Sequence, residues 1–192
     1  MIILNKYIVA IDGGATETDM VLCTIDGRVL ERVISGSTNP NDIGFDESVE
    51  CLRKMLLRLL RDYGGLKTPL FSIYAGLSGG SVGINKRKYS IAFKEMLSNT
   101  SCIYNGSDAI NALNSGIGCR NGMVLIAGTG SVVFVRNDGT ITQIGGWGYL
   151  LDDAGSAYDI GRRGLMAVLR EYDGRGSKTI LSELYTRCLG EQ

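Results

Sequence analysis

The sequence has 192 residues in which 20 Lys and Arg balance 20 Asp and Glu, so it offers no basic surface for nucleic acid. It contains no histidine, which excludes a histidine base and histidine-ligated metals within these residues. Its hydrophobic content of 44% is typical of a globular protein, and no segment approaches a membrane span, so we expect no membrane partner.

The cysteines indicate a reducing compartment. Their number is odd, they form no Cys-x-x-Cys pair, and they are scattered through the chain as Cys23, Cys51, Cys102, Cys119 and Cys188. The first residues lack the long apolar segment and the small-residue cleavage site of a secretory leader. We therefore expect a cytoplasmic protein with free thiols.

The first predicted unit is a three-stranded antiparallel meander. An apolar strand over residues 7–11 runs into the turn 12–16, and a second strand over 19–24 reaches the third, 28–34, through an Asp-Gly turn. Glycines in the first turn allow a ligand close to the backbone, and Thr16 adds a hydroxyl. This composition favours a phosphate ligand.

Two segments that end in polar turns follow. Residues 35–42 are predicted to be a loop in which Asn39 is available for ligand contacts, and residues 45–63 form a scaffold helix that stops at two glycines. A buried strand over 70–75 then leads into the turn 76–81, which contains Ser78. In α/β sheets, ligands bind at the carboxyl ends of the strands.

The first half of the chain ends with a junction that carries Asp108. A helix is predicted over 85–97, a strand over 101–104 and a helix over 109–113. Either Ser107 or Asp108 could cap the last helix, a role worth about 1 kcal/mol, and spacing alone favours the cap over a catalytic role for Asp108. This order of elements predicts an α/β domain with a mixed sheet.

The meander then recurs. Strands are predicted over 123–127, 132–135 and 140–144, with the glycine-rich turn 128–131 between the first two and an Asp-Gly turn before the third. The repetition suggests two related domains that hold a phosphate-bearing ligand between their glycine turns. The boundary is expected within the connection 114–122.

The last segments are a glycine-rich stretch around Trp147 and two helices, over 156–170 and 179–189, the second ending at Gly190. Asp152 and Asp153 precede the first of these helices. Their simplest interpretation is an acidic first turn that stabilises the helix dipole.

Taken together, the motifs resemble a known family. They are IDGGATET (11–18), STN (37–39), GLSG (76–79), SDA (107–109), LIAGTGS (125–131), GGWG (145–148) and GSAY (155–158). In this order they are similar to the N-acetylglucosamine kinase and BadF/BcrA ATPase group of the actin-like ATPase and sugar kinase superfamily, which includes archaeal broad-specificity hexokinases. The resemblance implies an actin-like (ribonuclease H-like) α/β domain with a mixed five-stranded sheet over 1–113, and the first part of a similar domain, truncated, over 114–192.

The resemblance also implies a reaction, ATP-dependent phosphorylation of a hexose or N-acetylhexosamine with ATP and Mg²⁺. Asp108 would be the general base, and Asp12 would act on the magnesium through bound water. The ATP phosphates would meet Gly13, Gly14 and Thr16 in one domain and Gly128, Thr129, Gly130 and Ser131 in the other. The sugar would contact Asn39, Ser78, Gly146 and Asp153.

Two departures bear on this expectation. Where many relatives have Gly-Asp-Glu-Gly-Ser, residues 152–156 read Asp-Asp-Ala-Gly-Ser, which leaves the sugar preference open. Family members also continue into an adenosine-binding segment and a closing helix that are not present here. Three alternatives therefore stay open: a 2-keto-3-deoxygluconate kinase, an activator ATPase of a 2-hydroxyacyl-CoA dehydratase or benzoyl-CoA reductase system, and a non-catalytic remnant. Superfamily kinases often dimerise, so a homodimer is a further expectation.

Overall fold

The computed structural model describes residues 7–81 and 83–189, which fall into two compact units, Met1–Ser115 and Gly116–Gln192. The residues on which the leader expectation depends and the predicted helix stop at Gly190 lie outside the described residues. Among the described residues, no helix is long and apolar enough to cross a membrane.

The first unit is built on a mixed sheet of five strands, as predicted. They are β1 (Tyr7–Gly13), β2 (Glu17–Thr24), β3 (Val29–Gly36), β4 (Leu70–Leu77) and β5 (Thr100–Gly106). Their order in the sheet is β3-β2-β1-β4-β5; β1, β2 and β3 pair antiparallel as a meander, whereas β4 pairs parallel with β1 and with β5. The three parallel strands thus end at one edge of the sheet.

Helices accompany this sheet in the first unit. They are α1 (Pro40–Ile43), α2 (Phe45–Leu59), α3 (Asn85–Met96) and α4 (Asp108–Ile117). Two of them, α2 and α3, form the core of the first unit with the sheet. The apolar stripe of α2, including Leu52 and Leu56, meets Val9 and Ile11 of β1 in one buried cluster that also contains Phe93 of α3.

Three boundaries differ from the sequence prediction. The segment 35–42 is not all loop, because Asn39 caps the short helix α1 by accepting a hydrogen bond from the Asn41 backbone N–H. The scaffold helix α2 ends at Leu59 and continues only as a 3₁₀ turn, after which Gly64 is left-handed with φ 111°. Helix α4 extends to Ile117, into the connection predicted to separate the units.

The second unit contains the predicted second meander and two helices. Its elements are β6 (Gly122–Ala127), β7 (Ser131–Asn137), β8 (Thr140–Gly145), α5 (Ala157–Tyr172) and α6 (Ile180–Leu189). The strands pair antiparallel in the order β6-β7-β8. Among the described residues, all apolar side chains that are fully enclosed belong to the first unit, and those of α5 and α6 remain partly or largely exposed.

The predicted role of Asp152 and Asp153 as the acidic first turn of a helix is wrong. Helix α5 begins at Ala157, where Ser156 caps it by accepting from the Asp159 backbone N–H at 3.1 Å. The carboxylate in the first turn is therefore that of Asp159, and its ion pair with Arg163 is the main reason that its pKa falls to about 2. Asp152 and Asp153 belong to the loop before the cap.

Two adjacent leucines of α2 test the location of the core. Leu56 is fully buried, whereas Leu57 is 39% exposed. We expect Leu56→Ala to lower the free energy of unfolding by about 2–5 kcal/mol, because it leaves a cavity in a packed interior. Urea unfolding followed by circular dichroism measures this. Leu57→Ala is the matched control and should cost less than about 1 kcal/mol; equal losses in the two variants would show that this face of α2 is misplaced.

Candidate active site

Three segments meet at the carboxyl edge of the parallel strands. Asp12 lies at the end of β1, opposite Gly76 of β4, and Gly76 in turn pairs with Gly106 of β5. Asp108 opens α4 directly after β5. The sheet thus brings together Asp12 and Asp108, which lie almost a hundred residues apart in sequence, at the edge where the sequence analysis placed ligand binding.

The environment of Asp108 raises the pKa of its carboxyl group. The carboxyl group is half-buried, and burial raises its pKa, with a further increase from the nearby charge of Asp12. Hydrogen bonds from the Ser107 hydroxyl at 3.1 Å and the Ala109 backbone N–H at 3.0 Å act in the opposite direction. The net result is a carboxyl group with a raised pKa, which suits proton transfer near neutral pH better than an exposed aspartate does.

The helix-capping alternative for this junction is also visible. The Ala109 backbone N–H lies 3.2 Å from the Ser107 hydroxyl oxygen, so Ser107 caps α4. Asp108 contacts the same N–H from the first helical position. Because Ser107 already fills the capping role, the carboxylate of Asp108 is not required for it.

Asp12 is exposed and has one polar neighbour that the sequence analysis missed. The side-chain amide of Asn111 donates to Asp12 Oδ1 at 2.6 Å and to the Ile11 carbonyl oxygen at 3.2 Å. Asn111 lies three residues after Asp108 on α4. That spacing places both side chains on one face of the helix and is the only sequence signal that could have identified Asn111.

The turn after β1 is packed closely against β4. The Gly13 carbonyl oxygen accepts from the Ser78 backbone N–H at 2.7 Å, and the Gly14 backbone N–H donates to the Glu17 carbonyl oxygen at 2.8 Å. A methyl group at Gly13 would lie 2.6 Å from a Leu77 methyl carbon and 2.8 Å from the Thr38 hydroxyl oxygen. Only glycine therefore fits at position 13 without a shift of its neighbours, whereas the Thr16 side chain is exposed at the tip of the turn.

Asn39 is held rigidly in the loop after β3. Its amide donates to Asp42 at 2.8 Å, its backbone N–H donates to the Ser37 hydroxyl at 3.1 Å, and its side-chain oxygen caps α1. A methyl group at Gly79 would lie 2.6 Å from that oxygen. The predicted sugar contacts Asn39 and Ser78 therefore belong to two adjoining loops.

A chain of buried hydroxyl groups supports these loops. Thr18 and Thr38 share a hydrogen bond of 2.8 Å, and the Ser48 hydroxyl of α2 lies 2.6 Å from both the Thr38 carbonyl oxygen and the Tyr89 hydroxyl of α3. All four side chains are almost completely buried. Buried polar groups that satisfy each other fix a loop in one conformation, so Thr38 links the first meander to α2 and, through Ser48, to α3.

In the second unit, the glycine turn and the loop before α5 form a single structure. Within the turn, the Gly128 backbone N–H donates to the Gly130 carbonyl oxygen at 2.9 Å. The Ser131 hydroxyl donates to the Ala154 carbonyl oxygen at 2.9 Å, and the Ala157 N–H donates to the Gly128 carbonyl oxygen at 2.8 Å. Thr129 remains exposed at the tip.

Asp153 lies at the centre of this structure. It is 8% exposed, has the left-handed φ of 60°, and one of its carboxylate oxygens lies 2.8 Å from where a methyl group at Gly130 would be. Two residues later, the Gly155 backbone N–H donates a hydrogen bond of 3.0 Å to the Asp159 carboxylate. A non-glycine residue held at positive φ is uncommon and is a feature of constrained functional loops. Gly146 packs separately, against Val132.

The predicted residues therefore fall into two groups, one in each unit. The first unit assembles Asp12, Gly13, Gly14, Thr16, Asn39, Ser78 and Asp108. The second contains Gly128, Thr129, Gly130, Ser131, Gly146 and Asp153. Sequence reasoning missed Asn111 and Thr38, because each acts through a contact with a residue distant in sequence. It also missed the Ser156–Asp159 cap, although that contact is local.

Comparison with known proteins shows relatives along almost the whole chain. An N-acetylmuramic acid/N-acetylglucosamine kinase of Clostridium acetobutylicum is 35% identical over 182 residues, covering 92% of this chain and 58% of the relative. An N-acetyl-D-glucosamine kinase of Dictyostelium discoideum is 32% identical over 193 residues, covering 94% of this chain and 59% of the relative. The chain thus spans less than two thirds of the length of these curated relatives.

The fold has a corresponding match among solved structures. A Chromobacterium violaceum protein provisionally described as an N-acetylglucosamine kinase superposes with a TM-score of 0.75 at 25% identity, over 96% of this chain and 64% of that one. The model of the BadF/BadG/BcrA/BcrD ATPase family matches residues 9–189. Because the family model matches almost the whole chain, and because its relatives and the actin-like arrangement of its strands agree with that match, the chain belongs to the BadF/BadG/BcrA/BcrD ATPase family.

Proposed function

We propose that this chain carries out ATP-dependent phosphorylation of a sugar hydroxyl and that the sugar is an N-acetylhexosamine such as N-acetylglucosamine. The observation that carries this proposal is the pairing of Asp108, a half-buried carboxyl group with a raised pKa, with the exposed carboxylate of Asp12 at one sheet edge. The names of the two relatives with over 30% identity supply the substrate class.

In this proposal Asp108 is the general base. It accepts the proton of the sugar hydroxyl as that oxygen attacks the γ-phosphorus of ATP, and the bond from that phosphorus to the departing ADP oxygen breaks. The hydrogen bonds from the Ser107 hydroxyl and the Ala109 backbone N–H orient the carboxylate at the carboxyl edge of the parallel strands. No histidine is needed for this chemistry, in agreement with the composition.

The residues present suit magnesium. An exposed carboxylate at the end of β1 is the kind of oxygen ligand that Mg²⁺ takes alongside phosphate oxygens, and Asn111 already fixes one of its two oxygens. Asp12 would hold the ion, directly or through its water. Bound there, the ion supplies positive charge to the phosphoryl group during transfer.

The glycine turns are proposed to bind the phosphates of ATP. In the first unit the turn 13–16 offers the exposed Thr16 hydroxyl and the backbone N–H groups after Gly14, whose own N–H donates to the Glu17 carbonyl oxygen. In the second unit the turn 128–131 offers the exposed Thr129 hydroxyl, while the Gly128 N–H and the Ser131 hydroxyl donate within the protein. At Gly128 a methyl group would meet no atom within 4 Å, so the backbone there is open to a ligand. Such turns accept anionic oxygens without side-chain bulk.

The sugar is proposed to contact Asn39, Ser78, Gly146 and Asp153. Asn39 and Asp153 are buried yet polar, and both are fixed by their own loops, which is the preorganisation that recognition of a polyol requires. Among the described residues, no group of three or more Cys, Asp or Glu side chains could share a metal ion.

The role of Asp108 is tested by Asp108→Asn. We expect the rate of ADP release with Mg-ATP and N-acetylglucosamine to fall by about 10²–10⁴-fold, because the general base is lost. The folded protein should be no less stable, since the substitution removes a partly buried charge. Asp62→Asn, at an exposed carboxylate away from this edge, is the control. Full turnover in Asp108→Asn would refute this assignment, and glucose and 2-keto-3-deoxygluconate in the same assay test the substrate class.

The pH dependence gives a second test. Because the pKa of Asp108 is raised above the ordinary value of an aspartate, kcat/KM should fall on the acid side at a higher pH than an exposed aspartate would produce. The Ser107 hydroxyl lowers that pKa. Ser107→Ala should therefore move the acid limb to still higher pH. An acid limb that does not move in Ser107→Ala would mean that another group titrates.

The second glycine turn is tested by Gly128→Ala. The methyl group would enter open space without touching the protein, so we expect unchanged stability but nucleotide binding weakened at least about tenfold, through a steric clash with a phosphate. Isothermal titration with a non-hydrolysable ATP analogue measures this. Gly161→Ala, also in open space but within α5, should leave binding unchanged. Equal nucleotide affinities in Gly128→Ala and Gly161→Ala would show that the turn 128–131 does not contact the nucleotide.

A further inference from the structure

Asn111 connects the two carboxylates of the first unit. It lies on α4, three residues after Asp108, and its amide nitrogen donates to Asp12 Oδ1 at 2.6 Å and to the Ile11 carbonyl oxygen at 3.2 Å. One amide group therefore holds both the backbone and the side chain at the end of β1. The helix that presents Asp108 is the same helix that fixes Asp12.

The position of this amide is set by the strand beside it. A methyl group at Gly76 would lie 2.3–2.5 Å from the amide atoms of Asn111, so the side chain occupies the space that Gly76 leaves open. Gly76 pairs with Asp12 on one side and with Gly106 on the other. Asn111 is thus seated over the central parallel strand and has little freedom to turn away from Asp12.

We propose that Asn111 is a positioning residue that orients the Asp12 carboxylate toward the metal–nucleotide complex. This inference rests on the proposed function. By donating to Oδ1, the amide fixes the rotation of the carboxylate and leaves Oδ2 as the oxygen for the ion or its water. Residues that donate a hydrogen bond to a metal-binding carboxylate and so orient it typically contribute about 10–100-fold to metal affinity or activity.

The chemistry of the side chain fits this role. Asn111 must donate to an anion and a carbonyl oxygen at once, which its NH₂ group does with two hydrogens. A carboxylate at this position would repel Asp12, and an apolar side chain of similar shape would give no donor. Asn111→Leu therefore removes the hydrogen bonds while it keeps most of the volume over Gly76.

The experiment measures metal binding directly. Free Mn²⁺ is followed by electron paramagnetic resonance while the 192-residue chain is titrated with Mn²⁺ in the presence of a non-hydrolysable ATP analogue. We expect Asn111→Leu and Asn111→Ala to raise the apparent Kd for Mn²⁺ by about 10–100-fold. Asn99→Leu is the matched control, because Asn99 donates to a backbone carbonyl oxygen, that of Lys67, away from this edge.

A kinetic readout separates orientation from a merely structural role. In Asn111→Leu, the Mg²⁺ concentration for half-maximal ADP release should rise in step with the Mn²⁺ Kd, and saturating Mg²⁺ should restore much of kcat. Thermal unfolding of each variant checks that it is folded. If Asn111→Ala does not fold, Asn111→Leu still tests the role, because leucine keeps most of the side-chain volume over Gly76.

The outcomes are distinguishable. Wild-type Mn²⁺ affinity in a folded Asn111→Leu variant would overturn the role of Asn111 and leave the proposed function intact. A lowered kcat with an unchanged requirement for Mg²⁺ would also overturn it. If the wild type shows no nucleotide-dependent Mn²⁺ binding, the proposed function fails and the inference fails with it.

Discussion

The parallel pairing of β1, β4 and β5 is the constraint on which the rest of the first unit depends. The registers of the two parallel pairings bring the ends of these strands to one edge, and each strand is followed there by a loop or helix that carries a polar group. Gly76, which pairs with Asp12 on one side and Gly106 on the other, leaves room above the sheet, and the Asn111 side chain occupies that room. The geometry of the two carboxylates is therefore a property of the sheet rather than of either loop alone.

The loops themselves are fixed from below by polar contacts. Thr38 is hydrogen-bonded to Thr18 through its hydroxyl and to Ser48 through its carbonyl oxygen, which links the loop after β3 to both the meander and α2. In the second unit, Ser131 and Gly128 make the corresponding links to the loop before α5. In each unit a loop that carries candidate site residues is thus held by hydrogen bonds to neighbouring elements, which is the preorganisation that positioning chemistry requires.

Much of the architecture could be predicted from the sequence because its signals are local. The Asp-Gly turns mark both meanders, and at the second of them Asp138 and Gly139 both have positive φ. Asn111 could not be found in this way, because its contact with Asp12 spans 99 residues and depends on how β1 and α4 are packed. The error at Asp152 and Asp153 had a local cause: Ser156 is a stronger cap signal than two acids placed further upstream.

The unequal burial in the two units has a consequence for how the chain unfolds. The first unit encloses large side chains such as Tyr89 and Phe93, whereas in the second Leu150, Leu151 and Tyr172 stand more than four fifths exposed. Local opening requires little free energy where few apolar contacts are lost, so amide hydrogens of β6–β8 should exchange well before those of β1 and β4. Heating this chain would then not produce a single cooperative transition, and one melting temperature would not describe it.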